Sequence, residues 1–221
     1  MQVSEALHKR KATRAFLPQE VEREKIIRIL EAARHAPSGT NTQPWQVAVV
    51  TGEKRRRLGD LMETAFRTGD KGAMEFQYYP VTWEGIYKER RRACGLQMYS
   101  TLDIKREDRQ RQQDQWAANY RAFDAPVMLF FFIDQILETG SYLDYGMFIQ
   151  SIMLVALEEG LATCPQAALG EYPEIVKQEL GYPKEKRLVV GMALGYEDES
   201  APVNSYRTPR EEVEQFTRFF D

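Results

Sequence analysis

Two short groups of basic residues in this sequence could bind a phosphate-sized anion. Arg10, Lys11 and Arg14 lie within five positions of one another near the start, and Arg207 and Arg210 lie near the end. Guanidinium groups from two distant segments can hold one dianion through paired hydrogen bonds. On spacing alone the alternative stays open, that these charged ends are only solvated.

Two further stretches could hold the polar edge of a flat ligand. APSGTNTQPW, residues 36–45, carries two prolines, a glycine, two amides and three hydroxyl side chains before a tryptophan. A plain helix-to-strand connection needs only about 2 to 6 residues, whereas a loop rich in short donors and acceptors can fix a ligand. TCPQAALG, residues 163–170, can present backbone N–H groups. Its Cys164 is either a reactive thiol or, as we favour, a small buried residue in a tight turn.

Other kinds of chemistry find no support in the sequence. His8 and His35 stand outside any metal-ligand or triad spacing, and no glycine-rich nucleotide motif occurs, so we expect no metal ion. The net charge of −3 and pI of about 5.7 disfavour a nucleic-acid partner. We find no signal-peptide pattern and no apolar run long enough for a bilayer, so we expect a cytoplasmic protein without membrane contact. Cys94 and Cys164 form no CxxC pair, which argues against a disulfide.

The hydrophobic pattern predicts the elements that must position these residues. Helices are predicted over 3–11, 22–34, 53–66, 142–159, 174–180 and 211–219, and strands over 45–51, 125–134 and 188–194. The inner face of the helix at 53–66 is predicted to carry Leu58, Leu61, Met62 and Ala65. We expect residues 161–173 to form a short extended piece and a tight loop.

The mixed order of these elements predicts an α+β layered fold with one central sheet. We predict one domain over residues 1–221. It carries a charged and aromatic insertion at about 68–118 and a C-terminal arm at about 197–221.

Four separated pieces together resemble the FMN-dependent nitroreductase family. They are HKRKATRAF, APSGTNTQPWQ, GLATCPQAALGEYPEIV and NSYRTPR, in the family's order and spacing. The insertion is similar to that of long-insert members that act on nitroaromatic compounds. The resemblance implies a central, mostly antiparallel sheet flanked by helices, in an intertwined homodimer. It also implies an oxidoreductase that transfers hydride from NADH or NADPH through flavin N5 to a nitroaromatic or quinone acceptor, with no side chain certain to act as a catalyst.

The resemblance also assigns cofactor contacts. Arg10, Lys11 and Arg207 are expected at the FMN phosphate, Arg14 near N1 and the C2 carbonyl of the ring, and Arg121 as a second cation of that region. The loop at 36–45 is expected to lie against FMN held mainly by the other subunit. Its contacts are assigned to Pro37, Ser38, Gly39 and Asn41, with Gln43 a weaker candidate and Trp45 expected in the core. Backbone around Pro165, Gln166, Ala167 and Ala168 is expected to face N5.

The chain departs from the family pattern at two of these positions. Ala12 stands at the phosphate where many relatives have serine, and Ala167 stands where some members have a glutamate near N5. We therefore expect one hydroxyl contact to the phosphate to be missing.

The insertion and the apolar helix carry the remaining expectations. Tyr78, Tyr79, Trp83 and Tyr87 form a candidate wall or lid over the substrate pocket, or equally an excursion that packs around a second subunit. The helix at 142–159 is apolar around most of its circumference, which predicts a homodimer interface. A flavoenzyme of the same fold with another substrate, such as an enone reductase or a dehalogenase, stays open as an alternative. So does a non-catalytic flavin-binding protein.

Overall fold

A four-stranded sheet forms the centre of the computed structural model, which describes residues 1–220. The strands are β1 (Gln46–Thr51), β2 (Val127–Asp134), β3 (Ala162–Gln166) and β4 (Lys186–Gly195). They lie in the order β1-β2-β4-β3, and every neighbouring pair is antiparallel. This confirms the predicted α+β fold.

Eight helices surround the sheet in the part of the chain that the structure describes. They are α1 (Val3–Lys9), α2 (Arg23–Ala33), α3 (Gly52–Arg67), α4 (Gly85–Thr101), α5 (Arg109–Ala117), α6 (Thr139–Glu158), α7 (Pro173–Leu180) and α8 (Val213–Phe216). Helix α7 has proline in its first turn and ends at Gly181, whose φ of 71° is the left-handed cap that glycine tolerates. None of the described helices is long and apolar enough to cross a membrane.

The apolar run of β2 is buried on both faces of the sheet, because each face packs against helices. Alternate side chains point to opposite faces. One set packs with α2 and α6 and comprises Val127, Leu129, Phe131 and Ile133. The other packs with α3 and α7 and comprises Met128, Phe130 and Phe132. Two cores on either side of one central strand therefore hold the helices and the loops that follow them.

Three local predictions were wrong or incomplete. Residues 162–166 form a full strand at the edge of the sheet, where proline is tolerated because an edge strand has a side that does not join the ladder. The predicted helix at 211–219 is reduced to α8, after which Thr217 is extended (φ −121°, ψ 140°). Leu61, predicted on the inner face of α3, is 36% exposed because the helix turns that position towards solvent.

The segment expected to be an insertion contains α4 and α5. No residue of α4 is buried within the described chain, and Ile86, Tyr87 and Leu96 of that helix are exposed. The few apolar side chains on α4 are scattered among charged ones, so the helix has no distinct apolar face to bury.

Candidate functional site

The N-terminal segment (residues 10–16) and the C-terminal arm (residues 197–220) meet at a cavity of about 360 Å³. Arg10, Arg14, Arg207 and Arg210 all line it, so the structure brings together four arginines that the sequence singled out. We call it the cationic cavity. Its other walls are Leu7, His8, Lys11, Ala12, Cys94, Tyr206 and Thr208. Cys94 belongs to α4, so the insertion contributes one side.

Arg207 fastens the arm to the end of α1. Its guanidinium donates to the main-chain carbonyls of His8 and Lys9, and to that of Arg10 at 3.2 Å. The last carbonyls of a helix lack intrahelical donors and carry partial negative charge, so a cation stabilises them. Arg207 therefore lines the cavity and also closes it, and we call its hydrogen bonds to the end of α1 the clasp.

Asn204 fixes the segment from which Arg14 projects. This buried side chain accepts the Arg14 N–H at 2.8 Å and donates to the carbonyl of Ala15 at 2.9 Å. Lys11 donates to the Asn204 carbonyl at 2.7 Å and forms an ion pair with Glu197 at 2.6 Å. The Lys11 charge is thus already balanced, and it contributes less to the field in the cavity than the arginines do.

The charge of the cavity is unbalanced. None of its four arginines pairs with a carboxylate in residues 1–220. Burial, followed by the like charges of Arg210 and Arg207, lowers the pKa of Arg10 from its ordinary value. Since an arginine still stays protonated at neutral pH, the repulsion is retained in the folded chain. An anion placed here would relieve it.

Strand β3 runs beside the cavity and leads to the turn expected at the ring edge. Ala12 forms a parallel bridge with Thr163, which aligns the N-terminal segment with β3. Ala167 and Ala168 lie partly exposed in a 3₁₀ turn, and Pro165 is exposed. Thr13 and Gln166, two polar residues of the same region, each have a buried side-chain oxygen without a hydrogen-bond partner in residues 1–220.

Cys164 is a buried thiol and not a nucleophile. Burial raises its pKa to about 11, and the nearby Arg14 charge opposes this only in part. The protonated thiol is a poor nucleophile. This confirms that Cys164 is a small buried residue, but it lies in β3 and not in the tight turn that was predicted.

The polar loop at 36–45 lies away from the cationic cavity of its own chain. The Gly39 N–H donates to both carboxylate oxygens of Asp144 on α6, at 3.2 Å each. The Ser38 hydroxyl accepts the Gln43 N–H at 3.0 Å, and Trp45 stacks on Phe148 with ring centres 4.7 Å apart. These contacts hold the loop firmly and leave Pro37 and Asn41 exposed.

The backbone of this loop is strained. Thr40, Asn41 and Gln43 have φ of 49°, 59° and 48°, in the left-handed region that favours glycine. Each such residue costs about 1–3 kcal/mol, and such residues concentrate where a ligand or a partner is bound. The strain makes the loop a candidate contact surface.

Two other sets of predicted site residues lie outside the cavity. Arg121 pairs with Glu63 and, at 3.1 Å, with Asp124. Burial would lower the pKa of Arg121, but these two carboxylates outweigh it and raise the pKa. Its charge is therefore already neutralised. Arg67 also donates to Glu63, at 2.7 Å.

The aromatic residues of the insertion contact one another in a row. Tyr79 packs on Tyr78 with ring centres 4.7 Å apart and on Trp83 at 5.7 Å, and Arg91 lies over the Trp83 ring. Tyr87, on the first turns of α4, is 64% exposed. Tyr78, Tyr79 and Trp83 thus form a row of contacting rings, and Tyr87 has no ring contact among the described residues.

Sequence reasoning missed several residues that build the site. Asn204, Glu197 and Tyr206 lie in a stretch without periodicity, and Cys94 lies on a helix that looks like a solvated face. The only available signal was the NSYR tetrapeptide, which was noted for its arginine alone. The roles of these residues depend on chain separations of up to 193 positions, which local pattern does not show.

A larger cavity, of about 550 Å³, lies between α2 and β1. Its walls are mostly apolar and include Ile26, Ile27, Leu30 and Val49. It offers little to hold a phosphate. Residues 1–220 also contain no group of three or more potential metal-binding side chains. The cationic cavity is thus the candidate binding site.

Comparison with known proteins gives consistent results. A model of the Nitroreductase family matches residues 7–196. The chain is 40% identical over 210 residues to a 4-nitrobenzoate reductase of Pseudomonas putida, covering 95% of this chain and 92% of the relative.

Two solved structures are similar over the full length of both chains. The FMN and NADPH-dependent nitroreductase NfnB from sphigopyxis sp. strain HMH gives a TM-score of 0.96 at 38% identity, with 100% of each chain covered. The FMN-dependent nitroreductase NfnB from Mycobacterium smegmatis, in complex with NADPH, gives a TM-score of 0.93 at 35% identity, again with 100% of each chain covered.

Proposed function

The chain belongs to the nitroreductase family, and on that premise we propose that it is an FMN-dependent oxidoreductase that uses NADPH to reduce nitroaromatic compounds. The observation that carries this proposal is the cationic cavity, whose four arginines pair with no carboxylate in residues 1–220. The family match over residues 7–196 and the printed descriptions of the similar proteins support the cofactor, the electron donor and the class of acceptor.

The residues present fit FMN. A phosphate dianion is the group that a cluster of guanidiniums without carboxylate partners in residues 1–220 selects, because it can accept several charge-assisted hydrogen bonds at once. We assign Arg10, Arg207 and Arg210 to the phosphate, with Lys11 as a weaker contributor because Glu197 already balances it. Ala12 offers no hydroxyl there. The unpartnered buried oxygen of Gln166 is an acceptor that a polar ring could satisfy.

The chain's own residues bind and orient, and they supply fixed charge. When bound, FMN supplies the capacity to take up two electrons as hydride from the nicotinamide and to pass them to the acceptor. Arg14 is assigned to the electron-rich side of the ring, where a fixed guanidinium favours added negative charge. The backbone of residues 165–168 is assigned to the opposite edge.

A second copy of the chain completes this proposal. The loop at 36–45 is exposed and strained but lies away from its own cavity, which fits a role in the cavity of a partner. The outer edge of β1 has no strand beside it within residues 1–220, and the larger apolar cavity lies next to it. The end of the arm is apolar and exposed, with Phe216, Phe219 and Phe220 at 71%, 84% and 89%. We propose a homodimer in which these surfaces are covered.

The aromatic row of the insertion is our candidate for the acceptor pocket. Flat faces of Tyr78, Tyr79, Trp83 and Tyr87 suit an electron-poor aromatic ring.

A cytoplasmic location completes the proposal, supported by the two free thiols Cys94 and Cys164, since reducing compartments keep cysteines unpaired.

Anaerobic stopped-flow absorbance tests the proposed activity. The purified protein should be yellow, and mixing with NADPH should bleach the flavin band, which 4-nitrobenzoate should then restore. A colourless protein that fails to bind added FMN would refute the proposal. A yellow protein that NADPH does not bleach would indicate a binding protein without catalysis.

Light scattering at micromolar concentration tests the dimer. We expect twice the 25.7 kDa chain mass, and a single species of 25.7 kDa would contradict the proposal. A chain truncated after Arg210 removes the exposed phenylalanines and should dissociate.

A further inference from the structure

Both ends of the insertion attach to residues 166–171, which comprise the last residue of β3 and the 3₁₀ turn after it and which we call the turn. At its start, the Gln166 side-chain nitrogen donates to the Asn119 carbonyl at 2.9 Å and to the Asn119 side-chain oxygen at 3.3 Å. At its end, the Glu171 carboxylate accepts the Tyr120 hydroxyl at 2.6 Å. The consecutive residues Asn119 and Tyr120 therefore hold the two ends of the same turn.

The other end of the insertion reaches the turn through residues 70–75. The Ala73 N–H donates to the Glu171 carbonyl at 2.7 Å, and the Tyr172 hydroxyl donates to the Asp70 carbonyl at 2.7 Å. Gly72 has φ of +61°, and a Cβ on it would lie 2.6 Å from the Glu171 carbonyl oxygen. Only glycine allows this approach.

The sheet closes the remaining side of the turn. Leu169 packs into the space left by Gly191, where a Cβ would lie 2.6 Å from the Leu169 Cβ. A Cβ on Gly170 would lie 3.0 Å from the Met74 side chain and 3.2 Å from the Val189 carbonyl. The turn is thus fixed by the sheet, by residues 70–75 and by residues 119–120.

We propose that Tyr120 and Glu171 are positioning residues for the cofactor ring. By joining the insertion to the turn, their hydrogen bond holds the backbone of residues 167–170 in one geometry against the ring edge. The Gln166 amide is held in the same way through its nitrogen, and its buried oxygen has no partner in residues 1–220. This inference rests on the proposed function and adds to it a task for the insertion beyond forming a substrate wall.

The geometry explains why these bonds matter for chemistry. Phosphate contacts in the cationic cavity anchor one end of the cofactor but leave the ring free to shift. Misplacement of reacting atoms by about 1 Å can reduce a rate by about a hundredfold. The turn continues from β3, which the N-terminal segment bridges through Ala12 and Thr163, and the proposal places the ring edge against it.

The variant Tyr120→Phe tests the inference because it keeps the ring, which packs on Phe66 and Tyr172, and removes only the hydroxyl. A matched control is Tyr142→Phe, which removes a hydroxyl on α6 that accepts from Arg187 of β4 at 2.9 Å. Glu171→Gln keeps an acceptor for Tyr120 and should behave as the conservative substitution, whereas Glu171→Ala should resemble Tyr120→Phe.

Hydrogen exchange in the apoprotein gives a readout that needs no catalysis. We expect faster exchange of the amides of residues 167–171 in Tyr120→Phe and Glu171→Ala, and no change there in Tyr142→Phe. In the FMN-loaded proteins the visible flavin band should shift in the same two variants. Their rate constant for reduction by NADPH should fall about tenfold, while FMN affinity should change less than about threefold because the arginines are untouched.

The outcomes separate the two proposals. A wild-type protein that binds no FMN refutes the proposed function before the variants are compared. A wild-type protein that works, with Tyr120→Phe matching Tyr142→Phe in exchange, spectrum and rate, overturns the positioning role. Faster exchange with an unchanged spectrum and rate also overturns it, since the bond would then serve the fold alone.

Discussion

Replacing Arg10 by methionine should move stability and cofactor affinity in opposite directions. Arg10 has no hydrogen-bond or ion-pair partner for its guanidinium in residues 1–220, and it faces Arg207 and Arg210 in the cavity. Methionine keeps an unbranched chain of similar length that can fill the same partly buried space. The substitution therefore removes charge with little loss of packing.

The expected changes in FMN affinity and in Tm follow from what the Arg10 charge does with and without FMN bound. A hydrogen bond between a charged donor and a phosphate contributes about 1.5–3 kcal/mol, so FMN should bind about 10- to 150-fold more weakly. Without ligand, relief of like-charge repulsion at a partly exposed site is worth about 0.5 kcal/mol. For a chain of this size that raises the apoprotein Tm by about 1–2 °C.

Fluorescence quenching of FMN gives the affinity, and differential scanning fluorimetry of the apoprotein gives the Tm. A matched control is Arg28→Met, which loses the same charge from a surface pair with Glu159 at 2.7 Å. The control should leave FMN affinity unchanged. The reasoning is refuted if Arg10→Met binds FMN within about twofold of wild type, which is less than any lost charged hydrogen bond predicts. It is also refuted if the apoprotein loses several degrees of Tm.

Three further predictions concern single groups. Native protein at pH 8 should show one thiol reactive towards a disulfide reagent, Cys94, and a second after denaturation, because burial raises the pKa of Cys164 to about 11. Gly72→Ala should lower the free energy of unfolding by about 1–3 kcal/mol in urea titration, because of its positive φ and the approach to Glu171. Burial opposes ionisation of Glu63, but its two arginine partners outweigh burial and lower its pKa. The stabilisation that Glu63 gives is therefore lost as the pH falls below about 4.5. Glu63→Gln should flatten the plot of unfolding free energy against pH in that range.

The sequence predicted the sheet and the helices where hydrophobic pattern was strong, and it failed where pairing decided the structure. β2 was predicted because seven consecutive apolar residues need burial on both faces. β3 was missed as a strand because it is five residues long and contains proline, and only its pairing with β4 makes it one. The last helix was overpredicted because residues 211–219 have helical composition but little in the described chain to pack against.

The candidate site, too, could not be predicted where it depends on contacts between distant parts of the chain. Spacing alone left the terminal arginines open to being solvated, and their convergence followed from the family resemblance and then from the structure. The pairing of Arg121 with Glu63, 58 positions away, has no local signature, so an apparent site cation turned out to be neutralised. Asn204 carries no pattern at all, yet it fixes the segment that presents Arg14.

The cavity forms only when the C-terminal arm closes on the end of α1 through the hydrogen bonds of Arg207. The clasp joins positions 197 residues apart at Arg10, so closing this span costs about 5 kcal/mol of chain entropy. A nascent chain cannot form the pocket until Arg207 and Arg210 have been synthesised, at about 5–20 residues per second. If a dianion binds there as proposed, it would cross-link the N-terminal segment and the C-terminal arm reversibly, and we expect opening of either segment to release it.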